Sequence, residues 1–355
     1  MSADQQLSSF IRHRSIWRGA DDRSLVLIDQ RALPQRLALR AAASVADILA
    51  AIREGSVQGP ARRAVAAAYG LALAARRDPD MAAVMAAFYT LAVLDHRCPL
   101  LRGALDRVRD ALDISPPSER ADNAMAEADA IAQEDQENHL SIGRHALPLL
   151  RSADEEGVST PLMLAAQSGW LSAMGWGAAT AALFLAQEQY DLWQISGGRI
   201  WQGITPPLPP PLPPPLALTT SPLTAWELAE AGIAHRQLDQ ATALARLAAG
   251  PVSAVWLAVE RATPAGDLAV RPDQAALAQA ASAAGVPVIA CLTAGAIHWR
   301  AARPSAIAAP DLALLTADIV SRLVTERGIC RPDAAALADL FPEQLSPFDG
   351  AANEA

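Results

Sequence analysis

The side chains that can move protons, attack carbon or bind metal form a short inventory in this chain. There is no lysine, so all 29 basic residues are arginine. A Schiff-base lysine and a phosphate-loop lysine are both excluded. Three cysteines, Cys98, Cys291 and Cys330, are widely separated, with neither a CxxC nor a metal spacing. Reduced thiols are expected rather than a disulfide framework. Cys291 ends an apolar run and is either a thiol facing a crevice or a buried structural cysteine. The six histidines, His13, His96, His139, His145, His235 and His298, form no HExxH and no paired zinc motif. No metal is expected, and each histidine reads as a surface or structural residue.

The chain that must position such groups has 355 residues, enough for about two domains with substantial cores. It is 52% hydrophobic and 19% charged, with a net charge of −9. Much of the apolar fraction is alanine, a strong helix former. Acidity and the lack of a basic, aromatic-interleaved stripe exclude nucleic acid as an expected partner. The opening segment MSADQQLSSFIRHR has no apolar core of a signal peptide, so a cytoplasmic location is expected. Residues 161–186 carry no charge and are long enough to span a bilayer. They also contain Gln167, Ser168, Ser172, Thr180 and glycines 169, 175 and 177. A buried strand, turn and helix over 162–186 fits that polarity better, so no membrane span is expected.

Ser24–Ile28 reads as a strand. Helical, alanine-rich patterns follow over Ala41–Arg77 (broken near Gly55–Pro60), Asp80–Leu94, Leu101 to Pro116, and Glu119–Leu150. The second half alternates. Strands are expected at Leu162–Ala166, Asp191–Ile195, Val252–Val259 and Val286–Leu292. Helices are expected at Ala178–Gln189, Thr224–Ala231 and Asp273–Ala284. The expectation is an α/β protein. A helical N-terminal domain with a small strand element (1–147) precedes a Rossmann-like parallel-sheet domain (148–355) that binds its ligand at the strand ends. Pro206–Pro215 reads as polyproline II within a proline-rich insertion at 204–222. It is either a stiff, exposed insertion or a docking site for a proline-reading partner.

Several short motifs occur in a fixed order. They include Ile28-Asp29-Gln30-Arg31 with Leu33-Pro34, Val57-Gln58-Gly59-Pro60, and Ala67-Ala68-Tyr69-Gly70-Leu71. Glu134-Asp135, Ile142-Gly143 and His145 follow. Then come Gly169-Trp170-Leu171, Trp176-Gly177, the Leu223–Leu228 run LTAWEL, Gly266-Asp267 and Thr325-Glu326-Arg327-Gly328. Together they resemble the S-methyl-5-thioribose-1-phosphate isomerase family. Its superfamily also holds ribose-1,5-bisphosphate isomerase and regulatory subunits of a translation initiation exchange factor. The resemblance implies a homodimer and a sugar-phosphate substrate, with no cofactor. The implied reaction opens an aldose 1-phosphate ring and transfers hydrogen between C2 and C1. A cysteine and an aspartate carry it.

The matching positions here differ. The family's T-H-C-N-A-G-W run corresponds to Leu164–Trp170, which puts Ala166 where the thiol would be. Neighbouring Ser168 and Gln167 are poor substitutes, since a hydroxyl without a nearby base shuttles protons badly. Glu260 stands in place of the aspartate, one methylene longer; its alternative is a plain ion pair with an arginine. On the phosphate side the implied positions are Gln58, Gly59 and Pro60, then Arg97, then Val270 and Arg271. The family glutamine falls at Gln202, or at Thr219 if the proline run is not an insertion.

Three functions follow from this comparison. The first is a divergent isomerase scaffold with weak or no activity. The second is a working isomerase of this substrate or a related sugar phosphate, with Glu260 as base and Arg97 and Arg271 on the phosphate. The third is a non-catalytic interaction subunit, whose specific support is the proline run.

Overall fold

We describe a computed structural model of the chain covering residues 14–94, 98–152, 160–165, 169–196, 211 and 213–345. A three-stranded antiparallel sheet opens it: β1 (Ile16–Arg18), β2 (Leu25–Ile28) and β3 (Leu39–Ala42), in that order. Five helices follow: α1 (Val45–Arg53), α2 (Pro60–Arg77), α3 (Met81–Ala92), α4 (Pro99–Ile114) and α5 (Arg120–Ser152). Helix α2 is buried on nearly every face, from Ala61 to Ala75. Its run of alanines lets α4 and α5 pack closely around it, as an all-round apolar helix requires. The start of the helical pattern at Ala41 is corrected. Ala41 and Ala42 pair with Val26 and Leu25 in β3, and α1 begins only after Ser44 accepts the Asp47 N–H.

Strand β4 (Leu162–Ala165) begins the large sheet. Helix α6 (Ala181–Ser196), β5 (Ala217–Thr219), α7 (Pro222–Glu230), β6 (His235–Gln237), α8 (Gln240–Ala249) and β7 (Val255–Ala258) follow. A small antiparallel sheet of β8 (Arg261–Ala262), β9 (Leu268–Val270) and β11 (Ala313–Leu315) adjoins it. Helix α9 (Pro272–Ala283), β10 (Val288–Cys291), β12 (Arg322–Thr325), β13 (Gly328–Cys330) and α10 (Ala334–Leu340) complete the chain. The large sheet has the order β13-β12-β10-β7-β4-β5-β6, parallel throughout except for β13. Its central strands are buried on both faces, which matches their unbroken apolar runs. Among the described residues, no helix is long and apolar enough to cross a membrane.

Two expectations are overturned. Asp191–Ile195 is the last part of α6, not a strand. No glycine or proline separates it from the preceding helix. Helical i, i+4 bonds run from Gln187 to Asp191 (2.8 Å) and from Gln194 to the Tyr190 hydroxyl (2.7 Å), and Leu192 and Ile195 are exposed. A short apolar run cannot by itself tell helix from strand. The 204–222 insertion is also corrected. Pro206–Pro210 and Leu212 lie outside the described residues, but Pro211, Pro214 and Pro215 are buried. The following Ala217–Thr219 pairs with both β4 and β6. The prolines lack the N–H a ladder needs, so they end where the strand begins.

Helices α5 and α6 cross at Gly143. A Cβ added there would lie 2.6 Å from the Ala181 Cβ. Replacing Gly143 with alanine should cost about 1–3 kcal/mol of overpacking, read as a lower urea midpoint with an unchanged slope.

Candidate functional site

The chain leaves the centre of the large sheet in both directions. From β4 it proceeds outward through β5 and β6, then returns to β7 and continues through β10 and β12. The crevice beyond the carboxyl ends of β4 and β7 is therefore the switch point, where parallel sheets hold ligands. Ala165 ends β4 and Ala258 ends β7, and Glu260 follows two residues later.

A cavity of about 80 Å³ lies at these ends. Gln58, Gly59 and Pro60 wall it from the head of α2, and Arg271 and Gln274 from the head of α9. Glu260, Thr293, Ser172 and His139 add further polar lining. Two helix N-termini thus open on one small space, bringing positive partial charge and unpaired backbone N–H groups. The space equals two or three waters at ~30 Å³ each. It is well below the ~300 Å³ of ordinary ligand sites, so the described side chains close over it. Gly59 makes the close approach possible: its φ is +87°, and a Cβ there would lie 2.3 Å from the Ser172 carbonyl oxygen.

The Glu260 carboxylate faces Arg63, with Oε2 4.0 Å from Nη2. Burial raises its pKa above the ordinary carboxylate range, while Arg63 and Arg271 pull the other way. His139 is 6% exposed. Burial works against its charged form, but Asp135 and Glu326 outweigh burial and hold its pKa above the ordinary histidine value. Glu326, whose own pKa burial raises, accepts the Ala294 N–H. The Gln274 amide donates to the Ala165 carbonyl (3.1 Å), and its Oε1 has no partner among the described residues.

Behind this cavity the Leu171 peptide is held from three sides. Its N–H donates to Glu227 Oε1 (2.6 Å). Its carbonyl accepts from Arg62 Nη1 (3.1 Å) and from the Gln30 amide. Arg62 also donates to the carbonyls of Ser15 and Ile28. Gln30 Oε1 in turn accepts the Gln58 N–H (3.0 Å), tying the clamp to the cavity wall. Arg62 and Glu227 are both fully buried. Burial pushes Glu227 up to about 8 and Arg62 down to about 9, and their mutual attraction limits both shifts. Gly169 makes room for Glu227; a Cβ there would overlap its carboxylate.

Of the residues singled out in sequence, the structure gathers Gln58, Gly59, Pro60, Glu260 and Arg271 in one cavity. Val270 does not join them; it is buried in the core with Leu268 and Val259. Ala166, Arg97 and Gln202 lie outside the described residues. Thr219 is buried in β5, its hydroxyl accepting the Ser221 N–H. Cys291 is fully buried in the core and its thiol is pushed up to about 12, so it supplies no thiolate. Sequence reasoning missed Arg63, His139 and Gln274. Arg63 adjoins Arg62 in α2, and a helical step of about 100° sends the two guanidinium groups different ways.

A larger groove of about 820 Å³ lies between β1 and α5, lined by Trp17, Tyr69 and Trp176 among others. Within it Arg18 pairs with Asp129 (2.7 Å), and the Tyr69 hydroxyl donates to the same carboxylate (2.7 Å).

No family model matches the chain. It is 31% identical to a methylthioribose-1-phosphate isomerase of Rhodospirillum centenum, over 94% of this chain and 95% of that one. It is likewise 31% identical to the enzyme of that name from Acidiphilium cryptum, over 94% and 96%. The 5-methylthioribose 1-phosphate isomerase of Pyrococcus horikoshii has a similar structure, with a TM-score of 0.73 at 20% identity, covering 93% of this chain and 96% of that one. Translation initiation factor eIF-2B subunit delta from A. fulgidus gives 0.68 at 21% identity, covering 93% and 99%. These two show the shared fold.

Glu227 carries a pH signature. With its folded-state pKa raised to about 8, the stability its proton confers is complete below the ordinary carboxylate value and lost as pH rises through 8. Unfolding midpoints between pH 5 and 9 should show that loss in the native chain, and Glu227→Gln should flatten it. Replacing Arg62 with methionine should cost about 3–5 kcal/mol, because the carbonyls of Leu171, Ser15 and Ile28 each lose a charged donor worth about 1.5–3 kcal/mol.

Proposed function

The chain belongs to the methylthioribose-1-phosphate isomerase family, and from that premise we propose that it converts an aldose 1-phosphate of the methylthioribose type to the ketose phosphate, using Glu260. The observation that carries the proposal is the convergence of Glu260, Arg271 and the Gln58-Gly59-Pro60 wall at the switch point. A carboxylate beside guanidinium groups and two helix N-termini offers a base next to an anion-holding surface.

The reaction class needs no external oxidant. C1 is reduced as C2 is oxidised within one molecule. One proton reaches the ring oxygen as the C1–O bond breaks, and one leaves the C2 hydroxyl as its carbonyl forms. Glu260 accepts the second. Burial makes its carboxylate a stronger base than an exposed one, and Arg63 and Arg271 keep it ionised enough to act. Arg271 is half exposed, with Nε 3.5 Å from Asp273. Substrate entry requires this side chain to move aside, because the cavity is too small for a sugar as it stands.

Purified protein should turn over methylthioribose 1-phosphate. Glu260→Gln should lower kcat by roughly 10²–10⁴-fold, the usual contribution of a positioned acid–base group. Arg271→Ala should mainly raise KM, by about 10–100-fold for a lost charge-assisted bond. An inactive native chain would turn the assignment to the non-catalytic scaffold.

A further inference from the structure

With alanine at position 166, the reaction described above has an acceptor in Glu260 but lacks a donor for the ring oxygen. Resting on the isomerase reading, we propose that His139, oriented by Asp135, is that donor and a further catalytic residue of the site.

The geometry supports this role. His139 lies on α5 and lines the same cavity of about 80 Å³ as Glu260, which follows β7 on the other half of the chain. Its Nδ1 is 2.7 Å from the Asp135 carbonyl oxygen. A carbonyl only accepts, so Nδ1 carries the hydrogen and Nε2 is the nitrogen that takes up or releases the second proton. The Asp135 carboxylate lies 3.4 Å from Nδ1 and is fixed by the Met174 N–H at 2.8 Å. Asp135 is thus a positioning residue: it holds the ring and favours the imidazolium. With Nδ1 engaged by Asp135, Nε2 is the nitrogen left to serve the cavity that His139 lines.

The step balances. The imidazolium Nε2–H gives its proton to the ring oxygen as the C1–O bond breaks, leaving neutral His139 and a free hydroxyl. The C2 hydrogen moves to C1 with its bonding electron pair, forming the new C1–H bond, while the C2 hydroxyl proton passes to Glu260. Return of one proton from Glu260 to His139 through the cavity restores both groups. Four charged groups face this histidine or its cavity. Asp135 lies on its own helix and Glu326 follows β12; both favour the imidazolium. Glu260 follows β7 and Arg271 heads α9. The raised pKa values of His139 and Glu260 suit a donor and an acceptor near neutral pH.

The test is the pH–rate profile of kcat for methylthioribose 1-phosphate in the native chain, His139→Asn, His139→Gln and Asp135→Asn. The native profile should fall on the alkaline side as His139 loses its proton, and on the acid side as Glu260 gains one. His139→Asn and His139→Gln should lower kcat by roughly 10²-fold or more, leave KM within about threefold, and lose the alkaline limb. Asp135→Asn should retain activity but shift that limb to lower pH. A native chain that turns over while both histidine variants keep kcat and the alkaline limb overturns this proposal and leaves the isomerase reading standing. A native chain without turnover overturns both. If both histidine variants fail to fold, judged by circular dichroism, the native profile decides, and a rate that stays flat up to pH 9 overturns the donor role.

Discussion

The Leu171 peptide is the joint on which the site depends. Its carbonyl takes donors from Gln30 and Arg62 of the N-terminal half, and its N–H goes to Glu227 of the C-terminal half. A buried peptide group must find partners, and a buried guanidinium must find several. Here each demand answers the other. Arg62 spreads its donors over three carbonyls from three segments, Leu171, Ser15 and Ile28. Removing any member leaves another polar group stranded in a dry interior. That mutual dependence fixes the two halves more tightly than apolar packing alone, which tolerates sliding.

The clamp has a consequence for chemistry. Gln30 spans from Leu171 to the Gln58 N–H, so one side chain sets both the turn after β4 and the wall before α2. Gly59 then brings that wall against Ser172. Two titratable groups of the cavity come from different elements: His139 from α5, Glu260 from beyond β7. A displacement of about 1 Å between such groups is enough to cost a large part of a rate. The longer reach of glutamate over aspartate is acceptable only where the walls are set this firmly.

Much of this was legible in sequence because the relevant signals are local. The runs at 162–165, 255–258 and 288–291 are apolar enough to read as buried strands, and the ordered motifs placed Glu260 and Arg271 together. Other features depend on tertiary pairing. The three-residue strands β5 and β6 have no periodicity of their own; β5 forms on the edge of β4, and β6 on the edge of β5. Asp191–Ile195 looks like a strand by composition and is a helix by continuity with α6. Val270 sits beside Arg271 in sequence, yet Val270 ends the fully buried strand β9 while Arg271, at the head of α9, is half exposed.

His139 shows the limit most clearly. Its i, i+4 relation to Asp135 is visible in sequence, but that spacing is common on helix surfaces and says nothing of burial. What distinguishes it is that α5 packs beside β12, which brings Glu326 near the ring, while the ring itself reaches the cavity from the far side of Glu260. Buried alone, the imidazole would shed its proton. Flanked by two carboxylates, its pKa is held above the ordinary histidine value despite burial. The fold sets that balance through elements almost two hundred residues apart. The large sheet fixes where the cavity lies, and the helix packed against it brings a histidine to the same space as Glu260.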